Sequence, residues 1–149
     1  MYEIPKIEVP VELLLMNAET VEGQMFVTED LLSAEGNPQL EELLNDSTDT
    51  FYPFVSHAGA YRLINKNHIV LIKCEQDDTE AKSQTPIPPR NLVVHFTIDR
   101  SVFGVVYPTL AEESRVSDII NQEENFLVLY QNGQKLIVNS EHIVYVNAN

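Results

Sequence analysis

One stretch of the chain occurs twice, and this repetition limits what the chain can fold into. Residues 59–72 read Gly-Ala-Tyr-Arg-Leu-Ile-Asn-Lys-Asn-His-Ile-Val-Leu-Ile, and residues 133–146 read Gly-Gln-Lys-Leu-Ile-Val-Asn-Ser-Glu-His-Ile-Val-Tyr-Val. The matching residues lie 74 positions apart: Gly59 and Gly133, Asn65 and Asn139, His68 and His142. Because chance rarely preserves a spacing this long, we predict that the chain contains two related halves.

Apolar residues alternate with polar ones in both halves, which is the pattern of strands buried on one face. Strands are predicted in this way at 9–15, 21–27, 92–96 and 102–106. Gly23 and Gly104 lie inside the second strand of each half, where a glycine predicts a bulge or a sharp bend. Later strands are predicted at 51–55, 61–64, 69–73 and 126–129, with a tight turn at 65–68 and a hairpin turn at Asn132-Gly133.

Each half is also predicted to contain one short helix between its second and third strands. Asn37 and Pro38 are the residue types of an N-cap and a first helical position, in a helix that ends near Asn45. In the second half, a capping box at 109–112 begins a helix that runs to Asn121. The order strand, strand, helix, strand, strand, turn, strand therefore occurs twice.

A polar segment divides the two halves. Residues 75–90 combine charged residues, Ser, Thr and three prolines without apolar periodicity, which is typical of a linker. We therefore predict a first barrel-like repeat at 1–74, a linker at 75–90 and a second barrel-like repeat at 91–149. Five strands with a bent second strand and a tight final turn have the outline of a small antiparallel barrel. The predicted fold class is mainly β: two tandem barrels, each with one short inserted helix.

The chain is strongly acidic, with 9 Lys and Arg against 23 Asp and Glu and a formal net charge of -14. Such a charge repels nucleic-acid phosphates and anionic membrane surfaces over a Debye length of roughly 8 to 10 Å. The few basic residues are scattered along the chain. We therefore expect neither nucleic acid nor a membrane as a partner.

The single cysteine, Cys74, excludes an intrachain disulfide and any metal site built from several cysteines. Residues 1–6 lack the basic and apolar regions of a signal peptide. No stretch approaches the ~20 apolar residues of a membrane span. These features lead us to expect a cytoplasmic protein.

The repeated residues also resemble a known family of domains. Residues 63–70, Leu-Ile-Asn-Lys-Asn-His-Ile-Val, preceded by Leu-Leu-Asn at 43–45 and Phe-Tyr-Pro-Phe at 51–54, are similar to a small bacterial domain family of unknown function. Members of that family resemble the Sm-like, SH3-type β-barrels. The likeness extends over most of each half and is closer in the first.

This resemblance implies where a ligand would bind. Sm-like proteins form rings and bind RNA with an acidic or amide residue after the first strand and a basic turn between the fourth and fifth strands. The matching positions are Asn17 and Asp99 for the first feature, and Asn65, Lys66, His68, Asn139 and His142 for the second. Ser140 and Glu141 stand where the second turn would need a cation, so RNA binding is the alternative rather than the main hypothesis.

The two histidines allow two interpretations. Imidazole titrates near neutral pH, so His68 and His142 could bind a ligand or carry a proton. The structural interpretation, which we favour, is that each ring bonds a backbone carbonyl and fixes the last strand of its half. Among the aromatic residues, Tyr52 and Tyr130 are expected to face outward, where they could anchor a partner.

Catalytic motifs are missing from the sequence. It has no His-Glu-x-x-His zinc motif, no phosphate-binding glycine loop and no Gly-x-Ser-x-Gly nucleophile elbow. The paired acidic residues are explained by solvation at helix starts and loops. We therefore expect a non-enzymatic interaction or assembly module without a cofactor, which associates with itself or another protein. A small-molecule site in the cleft between the repeats is a further alternative.

Overall fold

Strands make up most of the structure, which confirms the prediction of a mainly β fold. The structure, a computed structural model, describes residues 6–109, 115–122 and 124–148. The strands are β1 (Lys6–Leu15), β2 (Thr20–Thr28), β3 (Phe51–Ser56), β4 (Tyr61–Asn65), β5 (Ile69–Glu75), β6 (Arg90–Phe96), β7 (Ser101–Val106), β8 (Phe126–Gln131), β9 (Gln134–Asn139) and β10 (Ile143–Ala148). The α-helices are α1 (Leu40–Asp46), α2 (Thr79–Gln84) and α3 (Val116–Ile120).

These strands form one antiparallel sheet that does not close on itself. Their order across the sheet is β10-β6-β7-β8-β9-β5-β1-β2-β3-β4. The strands of the first half therefore lie in the order fifth, first, second, third, fourth, and those of the second half lie in the same order. The halves are joined where β5 pairs with β9, and this leaves β4 and β10 as the two edges of the sheet.

Burial along the strands follows their place in the sheet. In β1, the alternating residues Val9, Val11 and Leu13 are buried, as the sequence pattern predicts. At the centre of the sheet, β5 has four consecutive buried residues from Ile69, and β9 has five from Lys135. Consecutive burial means that both faces of a strand are covered. The central strands are therefore enclosed, in contrast to β4 and β10.

Glycines are required at two kinds of position. A Cβ added at Gly23 would lie 2.1 Å from the carbonyl oxygen of Val55, because the paired strand β3 approaches β2 closely at this point. In the second half, a Cβ added at Gly104 would lie 2.8 Å from the Cβ of Leu129. The hairpin turn at Asn132 and Gly133 has φ values of 47° and 77°, which agrees with the prediction from the Asn-Gly pair.

The helix predictions are only partly correct. The first helix begins at Leu40 rather than after Asn37, because Pro38 forms a bridge with Leu32 and the Gln39 N–H donates to the carbonyl of Leu31. The second helix, α3, spans Val116–Ile120, while residues 110–112 of the predicted capping box lie outside the described residues. Helix α2 lies within the segment predicted to be a linker.

Two hydrophobic cores lie on the sheet, and each contains residues from both halves. The first core consists mainly of side chains from the first half but includes Phe126 and Ile137. The second core consists mainly of side chains from the second half but includes Leu14, Val70 and Leu71. The halves therefore exchange apolar side chains where β5 and β9 meet, which we call the inner joint.

Candidate functional site

The two Asn-x-x-His turns, which we call the corners, have matching local geometry. In each corner a one-turn 3₁₀ helix follows an asparagine whose side-chain oxygen caps the turn: Asn65 Oδ1 accepts from the Asn67 N–H at 2.9 Å, and Asn139 Oδ1 accepts from the Glu141 N–H at 3.1 Å. The carbonyl of each corner histidine accepts a backbone bond, from Met16 N at 2.9 Å in the first half and from Thr97 N at 2.8 Å in the second. The predicted tight turns are confirmed.

The second corner differs because its side chains reach across the inner joint to the first half. The Asn139 side-chain N–H donates to the carbonyl of Ile69 at 2.9 Å. The Nε2 atom of His142 lies 2.6 Å from the carbonyl oxygen of Asn67. Because a carbonyl can only accept, Nε2 carries the proton and donates it. Both side chains of this corner therefore bind the backbone of the first half, with Asn139 only 2% exposed and His142 only 8% exposed.

The Asn65 and His68 side chains of the first corner have no such partner among the described residues, although the Asn67 carbonyl of this corner binds His142. The first corner connects the edge strand β4 to β5, and His68 is exposed. The side-chain N–H groups of Asn65 make no hydrogen bond within the described parts of the chain. The structural interpretation of the histidines is thus correct for His142, whose ring bonds a backbone carbonyl, whereas His68 has no described bond of this kind.

A third asparagine bridges the inner joint from α1. The Asn45 side chain donates to the Phe126 carbonyl at 3.0 Å and accepts from the Phe126 N–H at 2.9 Å. The Asn45 side chain therefore makes the two hydrogen bonds with the Phe126 backbone that a neighbouring strand would otherwise make. The counterpart of Asn45 in the second half is Asn121, which follows α3 and is exposed. Sequence analysis did not select either residue, although Leu-Leu-Asn and Ile-Ile-Asn mark them as equivalent.

A buried ion pair also crosses the inner joint. Lys135 Nζ lies 2.6 Å from Glu41 Oε1, and the two side chains are 3% and 14% exposed. A pair this buried is costly to break, since removal of one partner leaves the other charge unpaired. Lys135 lies opposite Cys74, and burial raises the pKa of that thiol to about 11 despite the nearby ammonium group. Cys74 is therefore a protonated, unreactive thiol at neutral pH.

A polar cavity of about 280 Å³ lies beside the inner joint, between the two corners. Its lining includes Lys66 and Asn139 from the predicted site, together with the carboxylates Glu124 and Glu141. The Lys66 ammonium group is already engaged, because it donates to the Ser47 carbonyl at 2.9 Å. A phosphate entering this cavity would meet two carboxylates, which disfavours RNA as its ligand.

The two predicted tyrosine anchors do not both face outward. Tyr52 is 4% exposed and packs in the first core, so the expectation of an outward-facing Tyr52 is wrong. Phe51, its neighbour, is the exposed residue of this pair at 54%. Tyr130 is half-buried, and its ring packs edge-on against that of Tyr107 at a centroid distance of 5.9 Å. Burial, followed by the charge of Glu41, raises the pKa of Tyr130.

Apolar side chains gather at the open edges instead. Seven large hydrophobic residues are exposed in the described parts of the chain, and four of these lie on the two edge strands. They are Tyr61 and Leu63 on β4 and Val144 and Tyr145 on β10. Edge strands of soluble proteins are usually shielded by charge, proline or short length. These two edges are therefore the candidate interaction site.

Comparisons with known proteins give no further assignment, because no protein-family model, no curated protein and no solved structure matches the chain. Within residues 6–109, 115–122 and 124–148, no group of three or more His, Cys, Asp or Glu side chains is arranged to hold a metal ion. No helix in these residues is long and apolar enough to cross a membrane.

Proposed function

We propose that the chain is a non-enzymatic assembly module made of two tandem barrel-like repeats of the Sm-like or SH3 type, each with one short inserted helix. The common strand order of the two halves supports the duplication, as do the matching bonds of the two corners. The proposal places the module in the cytoplasm, where its single cysteine would stay reduced.

Self-association through the edge strands is the main part of this proposal. The observation that carries it is the exposure of apolar side chains on β4 and β10, where Leu63 is 57% exposed and Val144 is 59% exposed. An open edge offers unpaired backbone groups, and exposed apolar residues add the hydrophobic gain of burial. A strand from a second copy of the chain, paired with either edge, would bond these backbone groups and bury these apolar side chains.

Light scattering coupled to size-exclusion chromatography tests this proposal. Over roughly a hundredfold range of concentration, we expect a defined oligomer whose population follows mass action. Replacement of Leu63 by Lys on the edge strand should shift the protein to monomer. Phe103→Lys is the matched control, because Phe103 is a comparably exposed residue, at 42%, on the inner strand β7. A monomer at every concentration contradicts the proposal.

A further inference from the structure

The inner joint contains the same two kinds of strand that the open edges present separately. It joins the last strand of the first half, β5, to the fourth strand of the second half, β9. Their counterparts are β10, the last strand of the second half, and β4, the fourth strand of the first half. Within one molecule β5 and β9 are therefore paired, while their counterparts β10 and β4 are the edge strands at opposite ends of the sheet.

Apolar residues that are buried at the inner joint have exposed counterparts on the edge strand β10. At the inner joint Val70 and Leu71 point away from the first core and pack in the second, where they are 0% and 1% exposed. Their counterparts on β10, Val144 and Tyr145, are 59% and 53% exposed. The flanking residues Ile143 and Val146 pack against the second core, so β10 is oriented in its own half as β5 is in the first.

The fourth strands show the same contrast. Ile137 of β9 is 0% exposed because it packs in the first core, across the joint. Leu63, its counterpart on β4, is 57% exposed. Phe126 is 4% exposed beside α1, whereas its counterpart Phe51 is 54% exposed. Four of the five apolar residues that cross the inner joint, Phe126, Ile137, Val70 and Leu71, thus have an exposed apolar counterpart at or beside an edge strand. The fifth, Leu14, is matched by the half-buried His95.

The polar groups at the edges also match the bonds of the inner joint. Asn121 stands where Asn45 binds the Phe126 backbone, and it lies beside an open groove of about 500 Å³ next to β10. Asn65 stands where Asn139 binds the carbonyl of Ile69, and His68 stands where His142 binds the carbonyl of Asn67. Neither Asn121 nor Asn65 has a side-chain donor bond within the parts of the chain that the structure describes.

Given the self-association proposed above, we infer that β4 of one copy pairs antiparallel with β10 of a second copy, in the register that joins β9 to β5. At the inner joint Cys74 lies opposite Lys135 and Lys73 lies opposite Leu136. The same register places Ala148 opposite Tyr61 and Asn147 opposite Arg62. Phe51 then enters the groove beside α3, and Asn121 of the second copy binds the Phe51 backbone. The Asn65 side chain donates to the carbonyl of Ile143, and the His68 ring donates to that of Glu141.

This contact joins two different surfaces, so every copy can use both of its edges at once. Contacts of this type generate a ring where the rotation between copies closes and a filament where it does not. A contact of β4 with β4, or of β10 with β10, would instead stop at a dimer. An experiment can therefore distinguish which edges pair, in addition to showing that copies associate.

Single cysteines on opposite edges test the pairing. In a Cys74→Ala background, one preparation carries Tyr61→Cys and a second, with a tag of different size, carries Ala148→Cys. All replaced edge residues are exposed, so their substitution should preserve the fold, which circular dichroism checks. Opposed residues of an antiparallel pair have Cα atoms 4.5 to 5.5 Å apart, as a disulfide requires. Arg62→Cys with Asn147→Cys provides a second pair with the alternate hydrogen-bonding geometry.

After mild oxidation we expect a disulfide-linked heterodimer only in the mixture of the two preparations. Tyr61→Cys mixed with Tyr145→Cys is the register control and should give at least tenfold less product, since these positions are three residues out of register. A linked dimer in either preparation alone shows like-edge pairing and overturns the inference, while self-association stands. An oligomer without any of these links also overturns it, whereas a strict monomer overturns the proposed function itself.

The asparagine contact gives a second, independent readout. Asn121→Ala should weaken association at least tenfold while it leaves the thermal melting of the dilute chain unchanged. Gln122→Ala, a change at the half-buried neighbour, should alter neither. Equal association of the Asn121 variant and the unchanged chain would show that Asn121 does not take the role of Asn45.

Discussion

Asparagine side chains connect the two halves at points where backbone groups would otherwise lack partners. Asn45 satisfies both backbone groups of Phe126, and Asn139 both caps its own turn and reaches Ile69. A buried backbone group without a partner costs roughly 1 to 3 kcal/mol, more than an average hydrogen bond contributes when made. Removal of these side chains therefore lowers stability mainly because it leaves buried backbone groups without a hydrogen-bond partner.

Asn45→Ala is expected to lower the free energy of unfolding by about 2 to 3 kcal/mol, because it leaves the Phe126 N–H and carbonyl unpaired. Asn121→Ala is the matched control and should change it by less than about 0.5 kcal/mol in the dilute chain, since Asn121 is exposed. Urea denaturation of both variants measures the difference. Equal losses would contradict the role assigned to Asn45.

At the same scale, Tyr52 shows where sequence reasoning fails. Alternation predicts that Tyr52 and Phe51 face opposite sides but not which of them faces the core, because both are large and aromatic. The register with β4 decides it, since Tyr52 lies opposite the buried Ile64. The 74-residue spacing identifies the corner residues as an equivalent group, yet their differing environments depend on long-range pairing that no local pattern records.

Among the elements, strands were more predictable than helices. Period-two alternation locates β1 and β2 to within a few residues, because one face of each is exposed. Helix α1 starts later than its residue types suggest, because the bridge between Leu32 and Pro38 takes the backbone that an earlier start would need. Helix α2 escaped prediction because it is short and polar, with no apolar stripe to detect.

The close approach of β3 to β2 at Gly23 provides a prediction at the scale of elements. Gly23→Ala should destabilise the chain by about 3 kcal/mol or more, because its Cβ would overlap a backbone carbonyl that can move only with β3. Gly104→Ala should cost less, about 1 to 2 kcal/mol, because the nearest obstacle, the Cβ of Leu129, lies 2.8 Å away rather than 2.1 Å. Thermal and urea unfolding of the two variants test this order; a reversed order would contradict it.

For the whole molecule, the sequence predicts two similar halves but not that their strands form one sheet. The spacing of the repeat implies two similar units, and the polar segment at 75–90 suggests that they are separate. The structure instead joins all ten strands in one sheet. The two halves meet where β5 pairs with β9, and consecutive residues of both strands are buried there. The apolar run at 69–72 is typical of a strand enclosed on both faces, but the similar run at 143–146 lies on an edge strand, so such runs do not identify the neighbours of a strand.

The net charge of -14 gives a prediction about assembly. Copies of the chain repel one another, while the edges that meet carry mainly apolar residues. An increase of NaCl from about 0.05 M to about 0.5 M shortens the Debye length to a few Å and should strengthen association several-fold. Analytical ultracentrifugation at both salt concentrations measures this, with Leu63→Lys as the non-associating control. Weaker association at high salt would show that ion pairs hold the copies together.

The exchange of core side chains has a consequence for the integrity of the chain. Phe126 and Ile137 complete the first core, and Leu14, Val70 and Leu71 complete the second. We therefore expect that a protease cut between α2 and β6 would leave the two fragments associated, because β5 and β9 would stay paired. Neither fragment alone would contain all the side chains of its core, so we expect the two halves to fold and unfold as one unit.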